Sequence, residues 1–398
     1  MTKSNRKKKK NKFKKWTAKL HLWLGLSIGL IIFIVSITGA VYAFQVEITN
    51  LVRKEVIYNK EIDIDNKKTL PLKVLEQKVN EYAKVDYPVH WVNVPMNKNM
   101  NYVFYYYERN PDTWNYFDEF VIYQSVYINP FTGEIVGSFD EKNSFFNIIK
   151  FVHWSLLFQS DWGKYITGIP TLIFVIMLIT GIILWWPKNK KSRKQRFWFQ
   201  WKNIKNWKRK NYDLHSILGF YSSFIAIIAA ITGLFYSFFF MQALIYFVFS
   251  GFKTEYPDFS KYHVEYNAQE RVDDRLEKMS KKVEELYPEA YGYALDFGHE
   301  HIDEHEHPYF SVFVKQLSYS YHINHEVIFD ENTGEMLYNH NYNDKNLGQK
   351  ALAANYDIHI GAVLGIWGKI IAFISSLVCA SLPITGFLVW WGRKNKRK

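Results

Sequence analysis

The chain has 398 residues, a net charge of +12, an aromatic content of 18% and a single cysteine, Cys379. One thiol excludes an internal disulfide and a cysteine-ligated cluster. So large a positive charge would suggest nucleic acid in a soluble protein, but here long apolar runs alternate with long polar inserts, and the position of the charge decides.

Residues 1–19 hold ten Lys/Arg and form a basic tail. Leu20–Phe44 follows, the first of four runs that reach the roughly 20 apolar residues needed to cross a bilayer core. Its basic flank and Val41-Tyr42-Ala43 end imitate a signal peptide. The apolar part is too long for one, however, and it has an internal twin at 214–238, so a retained anchor is expected. The polar insert Ile48–Lys150 comes next. Leu72, Leu75 and Val79 have helical spacing within Leu70–Val85, and alternating runs at Asn101–Tyr107 and Val121–Ile128 read as strands. Ile166–Trp186 is the second apolar run, and the Lys188–Lys210 connection after it carries eleven Lys/Arg. Leu214–Phe240 is the third. A second insert, from about Lys253 to Tyr356, repeats the order of the first. Its helix, Arg271–Leu286, carries Leu276, Met279, Val283 and Leu286, with strand candidates at Tyr291–Phe297 and Tyr309–Leu317. Ile370–Trp391 is the fourth run, and the Arg393–Lys398 tail adds five cations. No run contains Asp, Glu, Lys or Arg.

The three basic segments fall on one side of a four-span chain. The positive-inside rule then places both termini and the 187–212 loop in the cytoplasm and both inserts outside, as periplasmic domains of a bacterial inner-membrane protein. Anionic lipid accounts for the basic segments, and no nucleic-acid partner is expected.

The two halves match. Leu20-His21 and Leu214-His215 each open an apolar helix, with Gly25 and Gly219 four residues after the histidine and Thr38-Gly39 and Thr232-Gly233 seventeen after it. His153 leads to Trp162-Gly163-Lys164, Thr180-Gly181 and Trp185-Trp186-Pro187. His359 leads to Trp367-Gly368-Lys369, Thr385-Gly386 and Trp390-Trp391-Gly392. The inserts close on Tyr127-Ile-Asn-Pro-Phe-Thr-Gly-Glu-Ile-Val-Gly137 and Val327-Ile-Phe-Asp-Glu-Asn-Thr-Gly-Glu-Met-Leu337. Both endings read as strand, tight turn with glycine at positive φ, then strand.

A helix followed by strands around such a Thr-Gly-Glu turn resembles the PepSY domain. With the four spans, nearly the whole chain resembles the PepSY-associated transmembrane proteins, a family that includes iron-regulated membrane proteins and di-haem ferric-siderophore reductases. The expected fold is a membrane α-helical bundle of four transmembrane helices, arranged as two parallel repeats, with two extracytoplasmic α+β PepSY-like domains. The expected divisions are 1–19, basic tail; 20–46, first span; 47–143, first outer domain; 144–187, interfacial helix and second span. They continue with 188–212, basic loop; 213–245, third span; 246–345, second outer domain; 346–392, interfacial helix and fourth span; and 393–398, tail.

Ionisable residues in or beside membrane helices call for a functional explanation. A b-type haem between helices needs axial imidazoles, apolar walls and room for a flat macrocycle. His21 has Gly25 and Gly29 on its own helical face, and His215 has Gly219 and Ser223 at the same offsets, so a porphyrin could lie close to the backbone. The alternative is a small-xxx-small helix contact with a histidine at the interface. Recurrence in both halves favours ligation. Direct repeats related by an axis along the membrane normal put equivalent residues at equal depth. His21 and His215 are thus expected to share a haem near the cytoplasmic end. His153 and His359, on short interfacial helices at Phe145–Phe158 and Lys350–Leu364, are expected to share a second near the outer end. A pairing with a histidine outside the repeat stays open.

His299-Glu-His-Ile-Asp-Glu-His-Glu-His307 breaks the repeat. His299, His301, His305 and His307, with His322 and His325 nearby, could form an accessory metal site or a solvated linker. The order is not HExxH, so no zincin site is indicated. With no dinucleotide fingerprint or P-loop, electrons must come from a separate reductase or quinol. The expectation is a haem-dependent reductase of an extracytoplasmic ferric chelate, in particular a ferric siderophore, with two haem b groups. The rivals are a non-enzymatic membrane protein that binds or inhibits a protease, and a transporter accessory subunit.

Overall fold

The computed structural model describes residues 3–394 except 62–63, 188, 203, 256–257, 266, 268 and 298–309. It divides into two compact units. One comprises Met1–Phe44, Ile149–Gln242 and Ile358–Lys398, the other Gln45–Ile148 and Ala243–Asp357.

The first unit holds four helices long and apolar enough to cross a membrane: Lys12–Tyr42, Ser160–Trp185, Trp207–Ser237 and Ala362–Lys394. They extend beyond the apolar runs, chiefly at the N-terminal side, because polar and basic residues continue a helix at little cost. The third span stops at Ser237 and not at Phe240, since Phe238 takes an extended conformation and a separate apolar helix, Phe239–Phe249, begins after it. The first span packs on the second and fourth, and so does the third. The first and third spans therefore lie diagonally across the bundle. Leu178, Ala226 and Cys379 form a buried cluster between the second, third and fourth spans. Leu30, Phe224 and Ile374 are exposed, as side chains facing hydrocarbon would be.

Each of two short helices delivers a histidine ahead of a span. Phe145–Ser155 ends on Leu156 and Leu157, both at positive φ. Leu347–Ile360 ends on Gly361 at φ +81°, where a left-handed turn needs no tolerance from a side chain. Both helices stop short of the expected Phe158 and Leu364, because these left-handed residues break the hydrogen-bond ladder.

The second unit is built on one antiparallel sheet of β1 (Trp91–Pro95), β2 (Tyr102–Arg109), β3 (Phe120–Ile128), β4 (Ile135–Asp140), β5 (Gly292–Asp296), β6 (Phe310–Lys315), β7 (Asn324–Phe329) and β8 (Met336–His340). The strand order is β4-β3-β2-β1-β5-β6-β7-β8. Strands β1–β4 come from the first insert and β5–β8 from the second, joined where Val92 faces Leu295 and Val94 faces Tyr293. Helices Leu72–Ala83 and Arg275–Leu286 lay Leu75, Val79, Met279 and Val283 onto one face of this sheet, in a single core with Phe104, Leu295 and Val312. The inserts, expected as two domains, thus share one sheet and one hydrophobic core.

The two closing turns are built alike. The Asn129 side chain accepts from the Phe131 and Thr132 amides, and Asp330 accepts from Asn332 and Thr333. Gly133 and Gly334 follow at φ +70° and +74°, in the left-handed region that glycine enters without steric cost.

Candidate functional site

The first span carries His21 as ordinary α-helix. In the third, His215 lies in one turn of π-helix, Leu214–Leu218, a feature often found where a helix re-aims a side chain at a site. The two rings meet across the bundle with centroids 6.4 Å apart and planes at 78°. His153 and His359 form a second pair, with centroids 6.0 Å apart and planes at 61°. The structure brings together the partners that sequence symmetry pairs.

Each ring rests on a Thr-Gly pair from another helix. His21 Nδ1 is 2.9 Å from Thr180 Oγ1, and His215 Nδ1 is 3.0 Å from Thr385 Oγ1. His153 Nδ1 meets the Val35 carbonyl at 2.8 Å and Thr38 Oγ1 at 3.3 Å. His359 Nδ1 meets the Ala229 carbonyl and Thr232 Oγ1, both at 3.0 Å. The adjoining glycines let the rings approach. A Cβ on Gly39 would stand 2.9 Å from His153 Cε1, on Gly386 3.1 Å from His215 Cε1, on Gly233 3.2 Å from His359 Cε1 and on Gly181 3.4 Å from His21 Cε1.

These contacts fix the tautomer. A carbonyl can only accept, so His153 and His359 carry their proton on Nδ1. The threonines already donate their hydroxyl protons to their own helices, Thr180 to the Met177 carbonyl at 3.0 Å and Thr385 to that of Ser381 at 3.0 Å. Their oxygens are left to accept from His21 and His215. In all four rings Nε2 is then a lone-pair donor, and among the described residues none meets a protein partner there. Burial lowers the His153 pKa, and burial together with the neighbouring His153 takes His359 down to about 4, so both rings are neutral at pH 7.

Neutral imidazoles with Nδ1 held and Nε2 open are the form in which histidine binds a metal. Two of them bonded to one iron at about 2 Å each would set their centroids roughly 6 Å apart. Both pairs fit that spacing. Between His21 and His215 lies an apolar cavity of about 370 Å³. Gly25 and Gly219, expected to face a flat ligand, both line it, as does Gly29. A Cβ on Gly25 would stand 2.9 Å from Met177 Cε, so this glycine makes room for a neighbouring helix as well. Trp185 stacks on Phe220 at 3.5 Å at one wall. Beside the second pair, Tyr236 lies edge-on to His359 at 6.2 Å.

The family corresponding to the PepSY-associated TM region matches residues 18–393. The chain belongs to this family. It is a multi-pass membrane protein with an α+β region between its apolar helices. No curated relative matches it.

His299, His301, His305 and His307 lie outside the described residues. Among the described residues no cluster of three His, Cys, Asp or Glu side chains could hold a metal ion. His322 is engaged through Nδ1 with Asp357 at 2.9 Å, and His325 stacks on Tyr287 at 4.0 Å. The Thr-Gly seats are the part of the site that sequence alone does not assign. The motif occurs four times, but each seat lies 115–170 residues from the histidine it holds.

Proposed function

We propose that the protein is a di-haem inner-membrane reductase that passes electrons across the bilayer to an extracytoplasmic ferric chelate, in particular a ferric siderophore. What supports the reading is the pair of imidazole pairs, at 6.4 and 6.0 Å, each with Nδ1 held and Nε2 open. His21 and His215 would hold one b-type haem and His153 and His359 the other. Bound there, such groups would supply one-electron transfer, and being held by two imidazoles each would favour that over oxygen chemistry.

The chain's own residues do the rest. The four threonines, with the Val35 and Ala229 carbonyls, keep each Nδ1 protonated and each ring fixed. Leu26, Ile32, Phe174 and Leu382 wall the cavity with hydrocarbon and keep water from the first pair. The charge bias puts the first pair toward the cytoplasm and the second toward the outer end of the bundle. A separate reductase or quinol gives up the electron, and the ferric chelate takes it up to become ferrous and release its iron more readily.

Purified protein should carry two haems per chain with low-spin spectra. After reduction with dithionite, a ferric siderophore should reoxidise it and yield Fe(II) to a ferrous-specific trap. His359→Ala should abolish that transfer. Indifference of the reduced protein to a panel of ferric chelates would sink the reductase reading, and a protein without haem would sink the cofactor.

A further inference from the structure

The cavity between His21 and His215 is apolar except at one end. Apart from the two histidines, its only ionisable lining residues are Arg196, Arg393 and Tyr212, and no Asp or Glu lines it among the described residues. Arg196 belongs to the basic loop, and it is drawn out of that loop by specific contacts. Trp185 Nε1 donates to the Arg196 carbonyl at 3.1 Å, and Phe197 packs on Trp185 at 4.7 Å, which folds the short helix Lys190–Phe197 back onto the end of the second span. The Arg196 guanidinium then donates from Nη1 to Tyr212 Oη at 3.1 Å and Ser216 Oγ at 3.4 Å, beside His215 in sequence. Arg393 comes in from the end of the fourth span, and both guanidinium carbons lie near the Tyr212 ring, at 5.9 and 6.0 Å from its centroid.

Three other arginines of the chain are paired with carboxylates: Arg209 with Asp213 at 3.1 Å, Arg53 with Glu141 and Arg109 with Glu119. Arg196 and Arg393 meet no carboxylate among the described residues. Two like charges converging on the end of a low-dielectric cavity repel one another unless a ligand brings negative charge between them. A planar guanidinium is the side chain best shaped to bind a carboxylate through two parallel hydrogen bonds.

We propose that Arg196 and Arg393 form the anion-binding end of this cavity and take two carboxylates of one amphipathic ligand, a flat apolar body with both acids on one edge. This rests on the reading above, in which His21 and His215 hold a b-type haem, and it assigns that haem's propionates to the two arginines. The propionate edge would thus face the basic loop, and Ser216 and Tyr212 hold the Arg196 fork ready before the ligand arrives.

The test uses the full-length His359→Ala chain, in which the first pair alone should load, produced without haem supply and kept in a zwitterionic detergent. It is titrated with haem b and with haem b dimethyl ester, whose carboxylates are masked, and the low-spin Soret band is read. Haem b should bind about tenfold or more tighter than the diester, as expected when charge-assisted hydrogen bonds are lost. In R196Q/R393Q that preference should collapse to about twofold with the diester affinity unchanged, whereas R196K/R393K should retain part of it. The titration is repeated with anionic phospholipid added. If lipid phosphate is the true occupant, it will compete with haem b and the preference will fall away, overturning the proposal. Equal binding of acid and diester by the parent chain, or a preference that survives in R196Q/R393Q, would overturn it as well, with the haem reading intact. If neither porphyrin gives a low-spin spectrum, the haem reading falls and takes this proposal with it.

Discussion

The two histidine pairs use the same parts in opposite roles. In the pair formed by His21 and His215, the first and third spans supply the rings while the second and fourth supply the seats, Thr180-Gly181 and Thr385-Gly386. In the pair formed by His153 and His359, the first and third spans supply the seats, Thr38-Gly39 and Thr232-Gly233, and the rings arrive on short helices before the second and fourth. Each half therefore holds itself together twice, its first span bonded once to its second span and once to the short helix before that span. The pairs also differ in their nearest acceptor. For His153 it is a backbone carbonyl, at 2.8 Å against 3.3 Å for the threonine, while for His21 and His215 a threonine oxygen lies at 2.9–3.0 Å. Backbone carbonyls of Met177 and Leu382 also back His21 and His215, and His359 has its two acceptors at equal distance. It is therefore His153, whose carbonyl bond is the shorter of two, that should best tolerate loss of its threonine.

The largest expected effect breaks the comparison outright. His21→Ala or His215→Ala should each halve the haem content by removing the same spectral component, and His153→Ala or His359→Ala should each remove the other. Pyridine haemochrome assays and low-temperature spectra would show it. A full complement in all four variants would mean that the histidines are only helix-contact residues. Next come the glycine seats, graded by the room they leave. Gly39→Ala puts a Cβ 2.9 Å from His153 Cε1 and must displace the ring, an overpacking cost of about 1–3 kcal/mol. Gly181→Ala makes only an ordinary contact at 3.4 Å and should be close to neutral. Thermal melts and haem retention should rank Gly39 above Gly386, Gly233 and Gly181. The smallest effects separate the acceptors. Thr180→Val and Thr385→Val should weaken the first haem about tenfold, in the range for lost outer-shell partners of a metal-bound histidine. Thr38→Val should change the second by less, because the Val35 carbonyl still holds His153. Equal losses at Thr38 and Thr180 would remove the distinction.

Much of this arrangement is legible in the sequence, and the remainder has physical reasons for being hidden. Four spans can be read because so long an apolar run without a charge suits a bilayer and little else. The histidine pairs can be read because two halves repeat one order. The turns at Gly133 and Gly334 can be read because a single residue type fits their backbone. Strand β1 escapes, since it follows Asp86-Tyr-Pro88 and ends on Pro95, residues that signal a loop. Its pairing with β5 escapes as well. Edge-to-edge hydrogen bonds are made by backbone, and side-chain pattern says nothing about which distant edge will answer. Arg196 is hidden for a third reason: eleven cations in one loop look interchangeable until Trp185 and Phe197 single one out.

The seam between β1 and β5 also sets an order of events during synthesis. Chains fold as they emerge, N-terminal parts first, so β1 to β4 exist before their remaining neighbours. The partner of β1 leaves the ribosome only after the second span, the basic loop and the third span have passed. Until then the Trp91–Pro95 edge is bare and the helix Leu72–Ala83 covers half a core, because the finished core also needs Met279, Val283 and Leu295. The edge is five residues long and closes on a proline, which limits what else can pair with it in the interval. The first insert thus lacks part of its core until the residues after the third span are made, and a chain stalled before Gly292 should be cleaved readily in limited proteolysis.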